Sequence, residues 1–102
     1  MESIEWLNSW YKSNCNQEWE QSYGVKIETI SNPGWEFSVD LTDTPYEGKT
    51  LTEKSLISDT DWYTISCNGI TFDAIGDTTK LGVLIDLFRK FIETQSVKVE
   101  DI

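Results

Sequence analysis

The chain has 102 residues, enough for one domain with its own core and too few for two. Its 38% hydrophobic and 13% aromatic content excludes an intrinsically disordered chain. The 18 acids against 8 bases, with no histidine, give a formal charge of −10, which repels nucleic-acid phosphates and anionic membranes and removes histidine triads and histidine metal sites from consideration.

From Ser3 to about Ser13, the residues Ile4, Trp6, Leu7, Trp10 and Tyr11 fall on about half of a helical wheel and predict an amphipathic helix, capped by Glu2 or Ser3. Asn14 to Ser22 has no period and is expected to be a loop carrying Trp19 between two glutamates. Tyr23 to Ile30 and Trp35 to Thr42 alternate, and between them Asn32-Pro33-Gly34-Trp35 is a turn word. Pro33 presets φ there, and Gly34 accepts the positive φ of a type II turn. The second strand separates Trp35, Phe37, Val39 and Leu41 from Glu36, Ser38, Asp40 and Thr42.

Thr42 to Thr50 holds Asp43, Pro45, Glu47 and Gly48 and is expected to be an exposed connection. Leu51 to Ser58 follows as a strand without strict alternation, and Ser58-Asp59-Thr60-Asp61 as a turn. Trp62 to Cys67 and Ile70 to Ile75 flank Asn68-Gly69, the sequence favoured in type I′ hairpin turns. Gly76-Asp77-Thr78 then closes the sheet and supplies a cap for a helix marked by Leu81, Leu84, Ile85, Phe88 and Ile92. Val83, Leu87 and Phe91 widen its apolar arc, so it needs cover from the sheet and from either the first helix or a partner. Gln95 to Ile102 is expected to be a loosely held tail. The order predicts a single α+β domain over residues 1–102, with an antiparallel sheet of about four to five strands and a helix at each end.

No apolar run approaches the ~20 residues of a membrane-spanning helix, and Met1-Glu2-Ser3-Ile4-Glu5 lacks the features of a signal peptide. A cytoplasmic location is therefore expected, with Cys15 and Cys67 reduced and too few ligands for zinc. A carboxylate pair from Glu18 and Glu20, or from Asp40 and Asp43, is conceivable as an acid and nucleophile, but such pairs arise by chance among 18 acids. A sulfurtransferase would need basic residues around its thiol, whereas Cys15 sits among Asn14, Asn16, Gln17 and Glu18 with only Lys12 near. Cys67 lies on a strand and is expected to pack as a small hydrophobe. Gly76-Asp77-Thr78-Thr79 does not match a phosphate loop, so neither catalysis nor a cofactor is expected.

Trp6-Leu7, Trp10-Tyr11, Cys15, Glu18-Trp19-Glu20, Tyr23-Gly24, Lys26-Ile27-Glu28-Thr29, Asn32-Pro33-Gly34-Trp35 and Asp40-Leu41-Thr42 together resemble the immunity protein 53 family of bacterial polymorphic-toxin systems. The family often has Cys-Asp-Gly-Asp-Trp-Glu-His where this chain has Cys15-Asn16-Gln17-Glu18-Trp19-Glu20-Gln21. The resemblance implies a protein that binds and neutralises a cognate toxin domain made by the same cell. Acidity and aromatics fit that role, because a toxin acting on nucleic acid, such as a nuclease, presents a basic cleft. The residues expected to bind the partner are Glu18, Trp19, Glu20, Glu36, Asp40 and Asp43, acids around an aromatic anchor. The alternatives are Trp19 as core, a sulfurtransferase working through Cys15, and a generic acidic interaction domain.

Overall fold

A computed structural model of the chain describes residues 2–97. They form the expected α+β domain: α1 (Ser3–Asn14), a short α2 (Trp19–Ser22), β1 (Val25–Ile30), β2 (Gly34–Asp40), β3 (Thr50–Ser58), β4 (Asp61–Asn68), β5 (Thr71–Gly76) and α3 (Leu81–Val97). The five strands make one antiparallel sheet in the order β1-β2-β5-β4-β3. This order obliges the chain to travel from β2 to the far edge, three strand spacings or about 14 Å away. The connection over residues 41–49 passes the β4–β5 turn on its way, where the Gly48 N–H donates to the Gly69 carbonyl at 2.7 Å. It is consequently less exposed than its composition predicts. Leu41 and Thr44 are buried, and the Thr44 hydroxyl donates to the Leu41 carbonyl at 2.8 Å.

Strand alternation sends Phe37, Val39, Ile65, Cys67, Phe72 and Ala74 to one face, and all six are buried. The same face receives Leu7 and Trp10 from α1 and Leu84, Ile85, Phe88, Phe91 and Ile92 from α3, forming a single core. The wide apolar arc of α3 is thus covered by the sheet and by α1. Ser3 does not cap α1. Its hydroxyl donates instead to Asp86 on α3, and Glu2 occupies the cap position without a side-chain hydrogen bond. Gln95–Val97 continue α3 rather than beginning a tail, and the remainder of the expected tail, residues 98–102, lies outside the described residues.

Both predicted hairpins form, with different turns. Asn68 is the last residue of β4, and its Oδ1 accepts the N–H groups of Ile70 and Thr71 at 2.9 Å each. That side-chain bond organises the turn, so only Gly69 takes a positive φ, +97°, and the turn is not type I′. In the first hairpin the Asn32-Pro33 peptide is cis, and Gly34 is extended and paired with Ile30 rather than left-handed. Gly34 is needed for space: a Cβ there would lie 2.2 Å from the Gly76 carbonyl oxygen. Gly82, on the first turn of α3, has nothing within 4 Å of such a Cβ. Gly34→Ala is expected to cost about 1–3 kcal/mol or more through overpacking, and Gly82→Ala to add about 0.5 kcal/mol through helix propensity. Urea unfolding of the two variants checks both signs.

Candidate functional site

Both helices pack on one side, so the other face of the sheet is covered by no element among the described residues. Register defines what it displays. One row runs Glu28, Glu36, Ile75, Thr64, Lys54 and the next runs Lys26, Ser38, Asp73, Ser66, Thr52. Asp40 stands opposite Thr71, and Leu56 opposite Trp62. Acids therefore concentrate on the β1–β2–β5 half, with apolar side chains at the far corner. Glu28 and Glu36 are direct cross-strand neighbours of like charge, an arrangement that destabilises a sheet. Lys26 partly offsets it, with its Nζ 3.2 Å from Glu28. Neither Glu36 nor Asp73 has an ion-pair partner among the described residues.

The six residues expected to bind a partner divide three ways. Glu36 and Asp40 are half-buried on the open face, in the middle and at one end of β2, and the Asp40 carboxylate accepts the Thr42 N–H at 2.9 Å. Glu18 and Asp43 are exposed and share a depression of about 470 Å³ beside Ser22 and Tyr23. Asp40 lines the adjoining depression, which also includes Ser22 and Tyr23, so these three acids gather at one end of the sheet. Glu20 turns inward. Its two oxygens accept the N–H groups of Asn16 and Gln17 at 2.9 and 2.8 Å, while Asn16 Oδ1 accepts those of Glu18 and Trp19. Backbone N–H groups, its own first and then those of Asn16 and Gln17, hold the Glu20 carboxyl below its usual range despite some desolvation.

Trp19 is a correction. It begins a helical turn and is only 2% exposed, with its ring 5.9 Å from that of Trp10, edge to face. It belongs to the core and is not available as an anchor for a partner. Its Nε1 is buried without a hydrogen bond, at a cost of about 1–3 kcal/mol for an unsatisfied donor. Trp19→Phe, which deletes that donor and keeps a ring, is expected to lose about 1 kcal/mol or less, against about 3–5 kcal/mol for Trp19→Ala. Denaturant unfolding separates the two.

The sheet closes at Gly76, as expected. Asp77 does more than close it: 3% exposed, its carboxylate accepts the Trp62 N–H, the Thr79 N–H and hydroxyl, and Lys80 Nζ. Lys80 Nζ lies 2.8 Å from both Asp77 and Asp61, tying the start of β4 to the approach to α3. The Lys80 ammonium, then the Thr79 hydroxyl, hold the Asp77 carboxyl far below its ordinary 3.8. A depressed folded pKa contributes stability that is present above the unfolded value and lost as pH falls. Asp77 should therefore stabilise the fold fully near neutrality and progressively less below about pH 4. Thermal melts of Asp77→Asn should show a lower midpoint at pH 7 and a shallower acid limb than the parent.

Neither thiol has a basic side chain bonded to it among the described residues. Cys67 is buried, its Sγ donates to the Lys49 carbonyl at 3.1 Å, and burial pushes its pKa up, against the needs of a nucleophile. Cys15 is exposed at the end of α1 with its Sγ on the Tyr11 carbonyl at 3.3 Å, and no basic side chain bonds to it among the described residues. Those residues hold no group of three potential metal ligands, and none of their helices is long and apolar enough to cross a membrane.

No curated protein and no solved structure matches the chain. The family model described as Immunity protein 53 does, over residues 4–93, from the first turn of α1 into the last turns of α3. Those residues contain all five strands, the open face, Trp19 and Asp77. The chain belongs to the immunity protein 53 family.

Proposed function

We propose that this protein binds a cognate toxin domain in the cytoplasm and neutralises it sterically, laying its open acidic sheet face over the toxin's active or substrate-binding surface. Membership of an immunity-protein family supports a toxin as partner. The observation that carries the choice of face is the row of acids on an uncovered sheet, with Glu28 directly opposite Glu36 and Asp73 on the neighbouring strand. Such an arrangement costs stability in the free protein and is relieved by a basic surface. Glu18, Asp40 and Asp43 extend the same field around one end of the sheet. A toxin with a cationic cleft, as a nuclease has, is its physical complement. The protein supplies no chemistry of its own in this reading: the thiols lack an activating base, and Glu20 is committed to backbone N–H groups.

Co-expression with the toxin domain encoded beside it, followed by co-purification, tests the partnership. Glu36→Lys and Asp73→Lys should each weaken binding by ~1 kcal/mol or more while retaining the parent's circular dichroism spectrum. Because a charge of −10 steers a basic partner, association should slow markedly between low and high salt, with dissociation changing less. An association rate indifferent to salt, together with parent-like affinity in both variants, would place the interface off this face.

A further inference from the structure

At one end of the sheet, two hairpin tips flank a depression of about 810 Å³. Asn32 and Pro33 form one wall, the segment from Leu56 to Asp59 the other, and Trp62 and Thr64 lie between them. Both Leu56 and Ile57 are largely exposed, at 63% and 71%. Two consecutive aliphatics on a regular strand would point to opposite faces. Here the register shifts between Leu56 and Ser58, leaving Ile57 unpaired, and both side chains line the same depression. Trp62, the cross-strand partner of Leu56, is half-buried beneath them. Adjacent exposed aliphatics beside a tryptophan have no part in the core, which lies on the opposite face of the sheet.

The base of this cleft is fixed before anything binds. Asp77 accepts the Trp62 N–H at 2.8 Å and its own N–H donates to the Trp62 carbonyl at 3.1 Å, so the backbone of Trp62 is held on both sides. Rigid aromatic floors lower the ordering cost of association and are where hot spots are found. Among the described residues no lysine or arginine lines the cleft itself, Asp59 is on its rim, and Thr64, between Lys54 and Ile75, connects it to Glu36 in the same row.

We infer that this cleft is the anchoring pocket of the interface, taking an apolar side chain that projects from a basic surface of the toxin domain. The inference rests on the toxin-binding reading above and adds the anchor that Trp19 cannot supply. A second copy of the chain is a poorer occupant, because two bodies of charge −10 repel each other.

The test is calorimetric titration of the neighbouring toxin domain, as a catalytically inactive variant, into the parent, Leu56→Asp, Ile57→Asp and, as a control, Ile4→Asp. Ile4 is 51% exposed on α1, in the helical layer on the other side of the sheet. Leu56→Asp and Ile57→Asp should each weaken binding about tenfold or more, at the scale of a hot spot. Melting temperatures should hold, since both side chains are exposed, and Ile4→Asp should bind like the parent. Parent-like affinity in both cleft variants overturns the inference, and if Glu36→Lys still weakens binding the toxin-facing reading survives without it. A parent that does not bind the domain sinks both. Light scattering should find a monomer, and a dimer abolished by Ile57→Asp would overturn the inference in favour of self-association.

Discussion

Phe88 is the point on which the architecture turns. Its ring is fully buried and is met by Trp10 at 4.9 Å, Phe72 at 5.0 Å, Phe37 at 5.7 Å and Trp6 at 5.8 Å, all at steep interplanar angles. Those four partners come from α1, β5, β2 and α1 again, so one side chain of α3 joins both helices to the two strands in the middle of the sheet's β1–β2–β5 half. Edge-to-face pairs add about 0.5–1.5 kcal/mol each beyond the area they bury. The geometry also imposes a condition: α1 and α3 can share Phe88 only from the same side of the sheet. The remaining element, α2, is one turn long and spends its single buried side chain, Trp19, against Trp10. Among the described residues no element is left to cover the other face.

That uncovered face explains the distribution of polar residues better than solubility alone. A sheet exposed on one side needs polar side chains there, and serine and threonine meet that need without net charge. Ser38, Ser66, Thr52, Thr64 and Thr71 do so. The acids on β1, β2 and β5 exceed the requirement, and among the described residues the ion pair that offsets them is Lys26 on Glu28. Where burial does demand compensation, it is provided: Asp77 is met by Lys80, by the Thr79 hydroxyl and by two backbone N–H groups. Among the described residues the buried carboxylate is thus fully paired, while Glu36 and Asp73 on the open face have no ion-pair partner.

The parts legible in the sequence are those whose pattern has a local cause. β2 alternates because one face meets the core and the other meets water, and α3 shows its arc because it is covered from two directions. The parts that were hidden depend on distant contacts. Gly34 has the composition of a type II turn, while its actual constraint is the Gly76 carbonyl 42 positions later in the chain, beyond any local signal. Trp19 sits on four helical residues, too few for a period, so its burial could not be seen from spacing. A signal was present in Asn16 and Glu20, an amide followed closely by a carboxylate, which bond each other's backbone neighbours much as a capping box does. β3 lacks alternation because Glu53 and Ser55, on the same side of this edge strand as Leu51, are polar, and the bulge at Ile57 sets the apolar corner of the open face.

Charge and shape on that face make different demands on a partner, and their separation in space decides what each contributes. Acids at the middle and one end act at a distance, over roughly 8–10 Å at physiological salt, and so govern encounter and orientation. An apolar corner acts only on contact, and governs how long the complex lasts. In the folded chain the two zones share the row through Thr64, Ile75 and Glu36, so a partner oriented by the acids as proposed would arrive with part of its surface over the cleft. Removing the acids would slow encounter with many cationic proteins alike, whereas the cleft discriminates by shape. On the proposed reading, an inhibitor that must ignore the cationic proteins of its own cell and still hold one toxin needs both, and its selectivity would come from the smaller, largely uncharged part of the surface.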